Sequence, residues 1–494
     1  MLLQGIDYFV VIAYLAGIMA LGLYFRRFVH SSGDFFLAGK TLPFWAIGMS
    51  IVVSDIGAQD FVGVSGQAYR HGIAVGNFDW IGSVPAMLLA AFVFVPYFWK
   101  AGLYTIPEYL GRRYNDGARV LASITWIVFF AFNLGIIFWA SARILFVLMG
   151  WPRSLSIILT ATVVGLYTLL GGLTAVVMTD VIQMIIMFIG GAAVVFLGFY
   201  HLGGWSGFVE RLAATGGDYR SSLELIQPVD TPTPFPWTGI LFGLTFVMAN
   251  AYMIGNQAVV QRCLAAKSVW HAKASMILGA FFKMFIPILV LFPGLMAIVL
   301  HPGLKDGDDA FLKLVASLLP PGLGGLMFAA LLAGLMSSID SMVNSTATLW
   351  TKDIYQRYLR REASDSHYLM VGKVATVLLL LFGVLTSPVS DLAGLFGAAA
   401  GHLLAPRHAV GRPGRSGGGH RSVGFAIYAR FHSQALVRRW SFHNRGAVSV
   451  RLLVVVCGRP SAYDHGQPVD ETPSRRAAVG TGVRAAARGW TRRL

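Results

Sequence analysis

The run GLMSSIDSMVNSTATLW (334–350) packs Ser337, Ser338, Asp340, Ser341, Asn344, Ser345, Thr346 and Thr348 into twelve residues. On a helix Ser337 and Ser341 stand at i and i+4, with Asp340 at i+3, so the three share a face. A carboxylate among hydroxyls offers hard oxygen donors, which is the chemistry of an unpolarisable cation. With no His/Cys cluster or redox centre in the chain, sodium is the natural candidate. Packing is the competing account, because helical hydroxyls also bond back to the preceding turn or let helices approach closely.

Other ionisable groups sit in apolar surroundings: Asp180 in MTDVIQMIIMF, Asp79 beside Trp80, Lys283 ten residues beyond Lys273, and Arg143 seven before Gly150. Ten residues are about 15 Å of helix, which places Lys283 near mid-depth in a bilayer. An ionisable group there costs several kcal/mol, so each is a candidate for function. Each also has a plainer reading. Lys283 can serve a structural ion pair, Arg143 can snorkel outward, and Asp79 can be an exposed helix-end carboxylate.

These groups need helices to position them, and the composition says of what kind. Of 494 residues 56% are hydrophobic and only 13% charged, too little polar surface to cover a water-soluble globule. The same composition excludes a disordered chain or a coiled coil, and two cysteines, Cys263 and Cys457, exclude a disulfide scaffold. The chain reads as an all-α polytopic membrane protein. Runs of roughly 20 apolar residues fall near 7–25, 44–66, 77–99, 120–149, 155–170, 174–200, 237–259, 274–300, 322–350 and 370–390. That makes ten expected spans. No cleavable signal peptide is expected, because nothing basic precedes the first run.

With the N-terminus outside, the inner loops hold 15 Lys and Arg, Arg262 among them, and the outer loops six. The bias sets the N-terminus outside. Two spans are broken by polar residues and glycine. The second carries Ser54, Asp55, Gly57, Gln59 and Asp60, and the seventh Asn250, Gly255 and Asn256. Such breaks persist at membrane depth where backbone lines an enclosed cavity. Two of them five spans apart predict inverted five-helix repeats with the site at the breaks; kinked structural helices are the alternative.

Four stretches carry a family resemblance: YTIPEYLGRRY (104–114), LLGGLTAVVMTDVIQ (169–183), QRCLAAKS (261–268) and FAALLAGLMSSIDSMVNSTATLWTKDIY (328–355). Together they resemble the sodium:solute symporter family, especially its sodium–sugar branch, over roughly residues 7–390. The resemblance implies a LeuT-like fold, with an extra helix (7–25) before two inverted five-helix repeats, the first over about 44–200 and the second from about 237. It implies sodium ligands at the carbonyls of Val53, Ile56 and Gly334 and the hydroxyls of Ser337 and Ser338. A second sodium site known in some members would use Asp180, Asp340 and Ser341; a protonated Asp340 hydrogen-bonded to a neighbouring helix is the alternative there. For the solute it implies Asp79 and Lys283, with Asp55, Asp60, Asn250 and Tyr252 as further candidate contacts. Departures stand beside these matches. Asp55 replaces the Asn of sugar carriers, Asp60 replaces a Gln or His, Asp79 is shorter than the usual Glu, and Asn250 is out of step by one residue.

The basic charge is confined to the end of the chain. Residues 401–494 hold 16 Arg, no Lys and three acids, a net of +13, against +3 for the first 400. The family pattern stops near residue 400, just after an eleventh span should begin near 391, so the second repeat is expected to be incomplete. Arg without Lys, amid Gly, Ala and Val, is what a GC-rich gene gives out of frame. The tail is therefore expected to be an out-of-frame reading that does not fold; a basic segment binding anionic lipid is the rival.

The chain is thus expected to import a small polar solute, a sugar or polyol, coupled to one sodium ion with a second candidate site, and to catalyse no reaction. An amino-acid or carboxylate carrier, a non-transporting membrane sensor and an inactive truncated product are the alternatives. The expected setting is a bacterial inner membrane, with lipid and solute as partners and neither nucleic acid nor an obligate protein partner.

Overall fold

A computed structural model describes residues 4–215, 222–231 and 233–388, together with two four-residue strands at 438–441 and 451–454. The chain divides into two units, 1–405 and 406–494. The first is helical throughout: α1 (Gly5–Phe25), α2 (Ser32–Leu37), α3 (Phe44–Asp55), α4 (Ala58–His71), α5 (78–100), α6 (Ile106–Arg113), α7 (Asp116–Met149), α8 (Arg153–Leu202), α9 (Gly204–Ala214), α10 (Gly239–Gly255), α11 (Gln257–Leu264), α12 (Val269–Lys283), α13 (Ile286–Leu300), α14 (Asp309–Leu318), α15 (Leu323–Leu349, continuing to 359) and α16 (Asp365–Thr386). In the second unit β1 (Arg438–Ser441) pairs antiparallel with β2 (Arg451–Val454). The eleventh span expected near 391 falls outside the described residues, as does the side chain of Arg143.

Among the described residues seven helical runs can cross a bilayer by length and composition, and the bent pair α10–α11 makes eight. Two of the seven are too long to be single spans. At 1.5 Å per residue the 50 residues of α8 would extend about 75 Å, more than twice a hydrocarbon core of about 30 Å. Gly172 divides α8 with φ 53° and ψ −154°. The 41-residue run 60–100 turns likewise at Gly72, where φ is 77°. With α3 and α4 taken together, ten spans result.

Only glycine suits the turn in α8. A Cβ at Gly172 would lie 2.8 Å from the Phe35 carbonyl oxygen, in a backbone region closed to other residues. Gly172→Ala is expected to cost about 1–3 kcal/mol from backbone strain alone, with the clash added, and to lower the thermal midpoint of the purified protein. An unchanged midpoint would show that the turn tolerates a side chain.

Long-range contacts sort the span ends into two faces. Asp7 meets Gly322 and Gly325, and Arg70 meets Asp306 and Asp308, at one end. Ser32 meets Asp365, Thr105 and Arg119 meet Asp353, and Leu42 pairs with Ala265 and Lys267 at the other. Consecutive spans therefore run antiparallel. Asp7 does more than mark a face. Its Oδ1 accepts the backbone N–H groups of Gly322 (2.7 Å) and Gly325 (2.6 Å), so a carboxylate of α1 caps the start of α15, whose first N–H groups have no helical partner.

Nearly every residue of α15 from Met327 to Leu349 is buried, which makes it the centre of the bundle. Large apolar side chains such as Phe9, Ile12, Phe132, Phe196, Phe246 and Leu378 stay exposed on outer helices. In water such surface would aggregate; in lipid it is the required exterior.

Candidate functional site

Both expected breaks are present, and each has a local cause. α3 ends where Ile56 (φ −114°, ψ 106°) and Gly57 (φ −94°, ψ 174°) are extended. The Asp60 carboxylate accepts the Gly57 N–H at 2.6 Å and so starts α4. Between α10 and α11 the extended residue is Asn256 (φ −73°, ψ 120°). Its side chain accepts the Ala258 N–H at 2.8 Å, and the two helices meet at a 50° bend. Short polar side chains that cap helices thus restart two helices inside the bundle.

The first break frees backbone oxygens. In a continuous helix the Val53 carbonyl would take the Gly57 N–H, but that N–H goes to Asp60. The Ile56 carbonyl would take the Asp60 N–H, which instead reaches the Gly57 carbonyl at 3.0 Å. Across from this end of α3 lie the hydroxyls of α15. Ser337 Oγ is 2.9 Å from Ser54 Oγ, and Ser338 Oγ lies 3.4 Å from the Ser54 carbonyl and 3.0 Å from that of Gly334. Carbonyls without helical partners facing hydroxyls are an oxygen donor set that fits sodium. The structure brings Gly334, Ser337 and Ser338 of α15 against Ser54 of α3, which stands between Val53 and Ile56 in the chain.

Asp55, on the other side of the same break, faces a cavity of about 540 Å³. Lys283, at the end of α12, forms ion pairs with Asp55 and with Asp79 (2.7 Å), and its side chain is only 5% exposed. Asp79 is therefore a partly buried ion-pair partner and not an exposed helix-end group. Asp60, Gln67, Ser83 and Tyr252 complete the polar lining; Phe78, Met248 and Met253 are among the apolar residues. Asn250 is a correction. Its Nδ2 donates to the Thr245 carbonyl of its own helix at 2.9 Å, and it does not line the cavity. One residue along a helix is a 100° rotation, and the residues of α10 facing the cavity are Leu244, Met248, Ala249, Tyr252 and Met253.

Asp180, Asp340 and Ser341 do come together, around a residue counted above as an inner-loop charge. Arg262 is 1% exposed inside α11. Its guanidinium donates to Ser341, to Ser54 (2.7 Å) and to Ser50 (2.6 Å), and lies 3.3 Å from Asp180. The cation that the structure places beside Asp180 and Ser341 is the guanidinium of Arg262. Asp340 accepts the Tyr167 hydroxyl of α8 at 2.6 Å, the inter-helix bond of the alternative reading. Arg262 was missed because the seventh span was ended at residue 259, whereas α11 runs to Leu264.

Broken helices whose free backbone oxygens meet a polar cavity at mid-bundle define a secondary transporter. The comparisons agree. A solved structure titled as the substrate-bound outward-open state of a Na+-coupled sialic acid symporter superposes with TM-score 0.71 at 24% identity, covering 80% of this chain and 83% of that one. The shared fold is the LeuT-like inverted repeat. The sodium/glucose cotransporter of Vibrio parahaemolyticus is 34% identical over 412 residues, 78% of this chain and 75% of the relative. Sodium/glucose cotransporter 4 of Danio rerio is 34% identical over 79% of this chain, and that of Homo sapiens 33% over 78%. The chain spans 64% and 61% of those two vertebrate relatives. The model of the sodium:solute symporter family matches residues 35–410. The chain belongs to that family, whose activity is sodium-coupled secondary transport of a small polar solute and not catalysis.

Proposed function

We propose that the chain imports a sugar or polyol together with one sodium ion, from the face where α4 meets α5, taken as the outside. The observation that carries this reading is the shared break in α3. Beside the carbonyls that it frees, Ser54 meets Ser337 and Ser338, while its Asp55 reaches Lys283 in the solute cavity. An ion ordering the break would also order the cavity wall, so ion and solute stabilise the same state and each raises the other's affinity. Lys283 supplies N–H donors and Asp79 a carboxylate acceptor, a pairing suited to hydroxyl groups, which both donate and accept. One ion is proposed because Arg262 already neutralises Asp180.

Uptake of radiolabelled sugars, polyols, amino acids and carboxylates into membrane vesicles, with and without an inward sodium gradient, tests the assignment. Sugar or polyol accumulation only with the gradient is expected; accumulation of amino acids or carboxylates alone would reject it. Ser338→Ala removes one oxygen of about five. At 1.4 kcal/mol per tenfold, loss of a ligand of that strength should raise the sodium concentration for half-maximal uptake about tenfold. Unchanged sodium dependence would remove Ser338 from the site.

A further inference from the structure

The solute cavity carries more negative charge than a neutral sugar calls for. Asp55, Asp60 and Asp79 line it with a single base, Lys283, so its formal charge is −2. Lys283 is engaged by both Asp55 and Asp79. Asp60 stands outside this arrangement. It caps Gly57 through one oxygen, and among the described residues no basic side chain pairs with it. Arg70 of the same helix is committed to Asp306 and Asp308, and Arg262 to Asp180. The start of α4 contributes about half a positive charge, which leaves the cavity well short of neutral. Aromatic faces point the same way, since the rings of Phe78 and Tyr252 line the same space and attract cations.

Resting on the polyol reading above, we infer that the solute carries a protonated amine beside its hydroxyls, as in an amino sugar or amino polyol. The ammonium is seated against Asp60, and the hydroxyls against Lys283, Asp79 and Tyr252. A carboxylate solute is disfavoured by the same charge, and a neutral sugar leaves Asp60 without a cation.

The test is binding to the purified full-length protein in nanodiscs at saturating sodium, with D-glucosamine, D-glucose, N-acetyl-D-glucosamine, ethanolamine and L-proline as probes. Glucosamine is expected to bind at least tenfold tighter than glucose and N-acetylglucosamine, which lack the positive charge. Asp60→Asn keeps an oxygen for the Gly57 N–H, so α4 still starts there, and is expected to collapse the preference towards one. Glucose binding as tightly as glucosamine, or a preference unmoved in Asp60→Asn, would overturn the amine while leaving the polyol reading intact. Ethanolamine or proline binding with every sugar excluded would overturn the polyol reading, and this inference with it. Binding of none of the five overturns both. Sodium-dependent thermal stabilisation of Asp60→Asn shows that the variant is folded.

Discussion

Lys283→Ala is expected to abolish solute binding, with affinity falling more than a hundredfold, while sodium still binds. The ammonium sits between two carboxylates, 2.7 Å from Asp79 and ion-paired with Asp55. Removing it deletes the cavity's single positive charge and sets two poorly hydrated acids against each other. Breaking a buried pair by deleting one partner costs about 3–5 kcal/mol, and each 1.4 kcal/mol is a factor of ten in affinity. In the site proposed above sodium is held by other atoms, the carbonyls at the break and the hydroxyls of Ser337 and Ser338. Titration of the variant with solute and, separately, with sodium checks both halves. Solute affinity within a factor of ten of the parent would mean that Lys283 only braces the wall.

The other large effect is expected at Arg262. Replacing it with Met leaves Asp180, which is fully buried, without its cation, and strips one donor each from Ser50, Ser54 and Ser341. Loss of about 3–5 kcal/mol is expected, visible as a lower melting temperature in detergent or as failure to accumulate in the membrane. Asp180→Asn in the same chain should restore most of it, because no charge then lacks a partner. A double variant as unstable as the single one would show that Arg262 stabilises by its other contacts and not by its charge.

Much of this was legible in the amino acids. The breaks were readable because Gly57 and Asn256 with neighbouring acids and amides interrupt apolar runs, and the residues that interrupt a span also cap its restart. The crowding of hydroxyls in α15 was readable too, though Ser338, Ser341 and Thr348 each also bond back to the preceding turn. What escaped depends on depth and rotation, which periodicity does not report. Arg262 lies two residues beyond Val260, the last apolar residue of its run, and looked like a loop charge, yet the tertiary setting draws it to the centre. Asn250 has suitable chemistry but faces its own backbone. The ion pair from Asp55 to Lys283 joins residues 228 positions apart, and nothing local to either announces the partner.

The cap that Asp7 places on α15 bears on how the chain is made. Donor and acceptor are separated by 315 and 318 residues. At about 5–20 residues per second, α1 has been in the bilayer for roughly 15–60 s before Gly322 leaves the ribosome. Throughout that interval its carboxylate can be satisfied only by headgroup water, and α1 has no locked position against the rest. α1 thus enters the membrane long before it is fastened, and its anchoring waits for the start of α15.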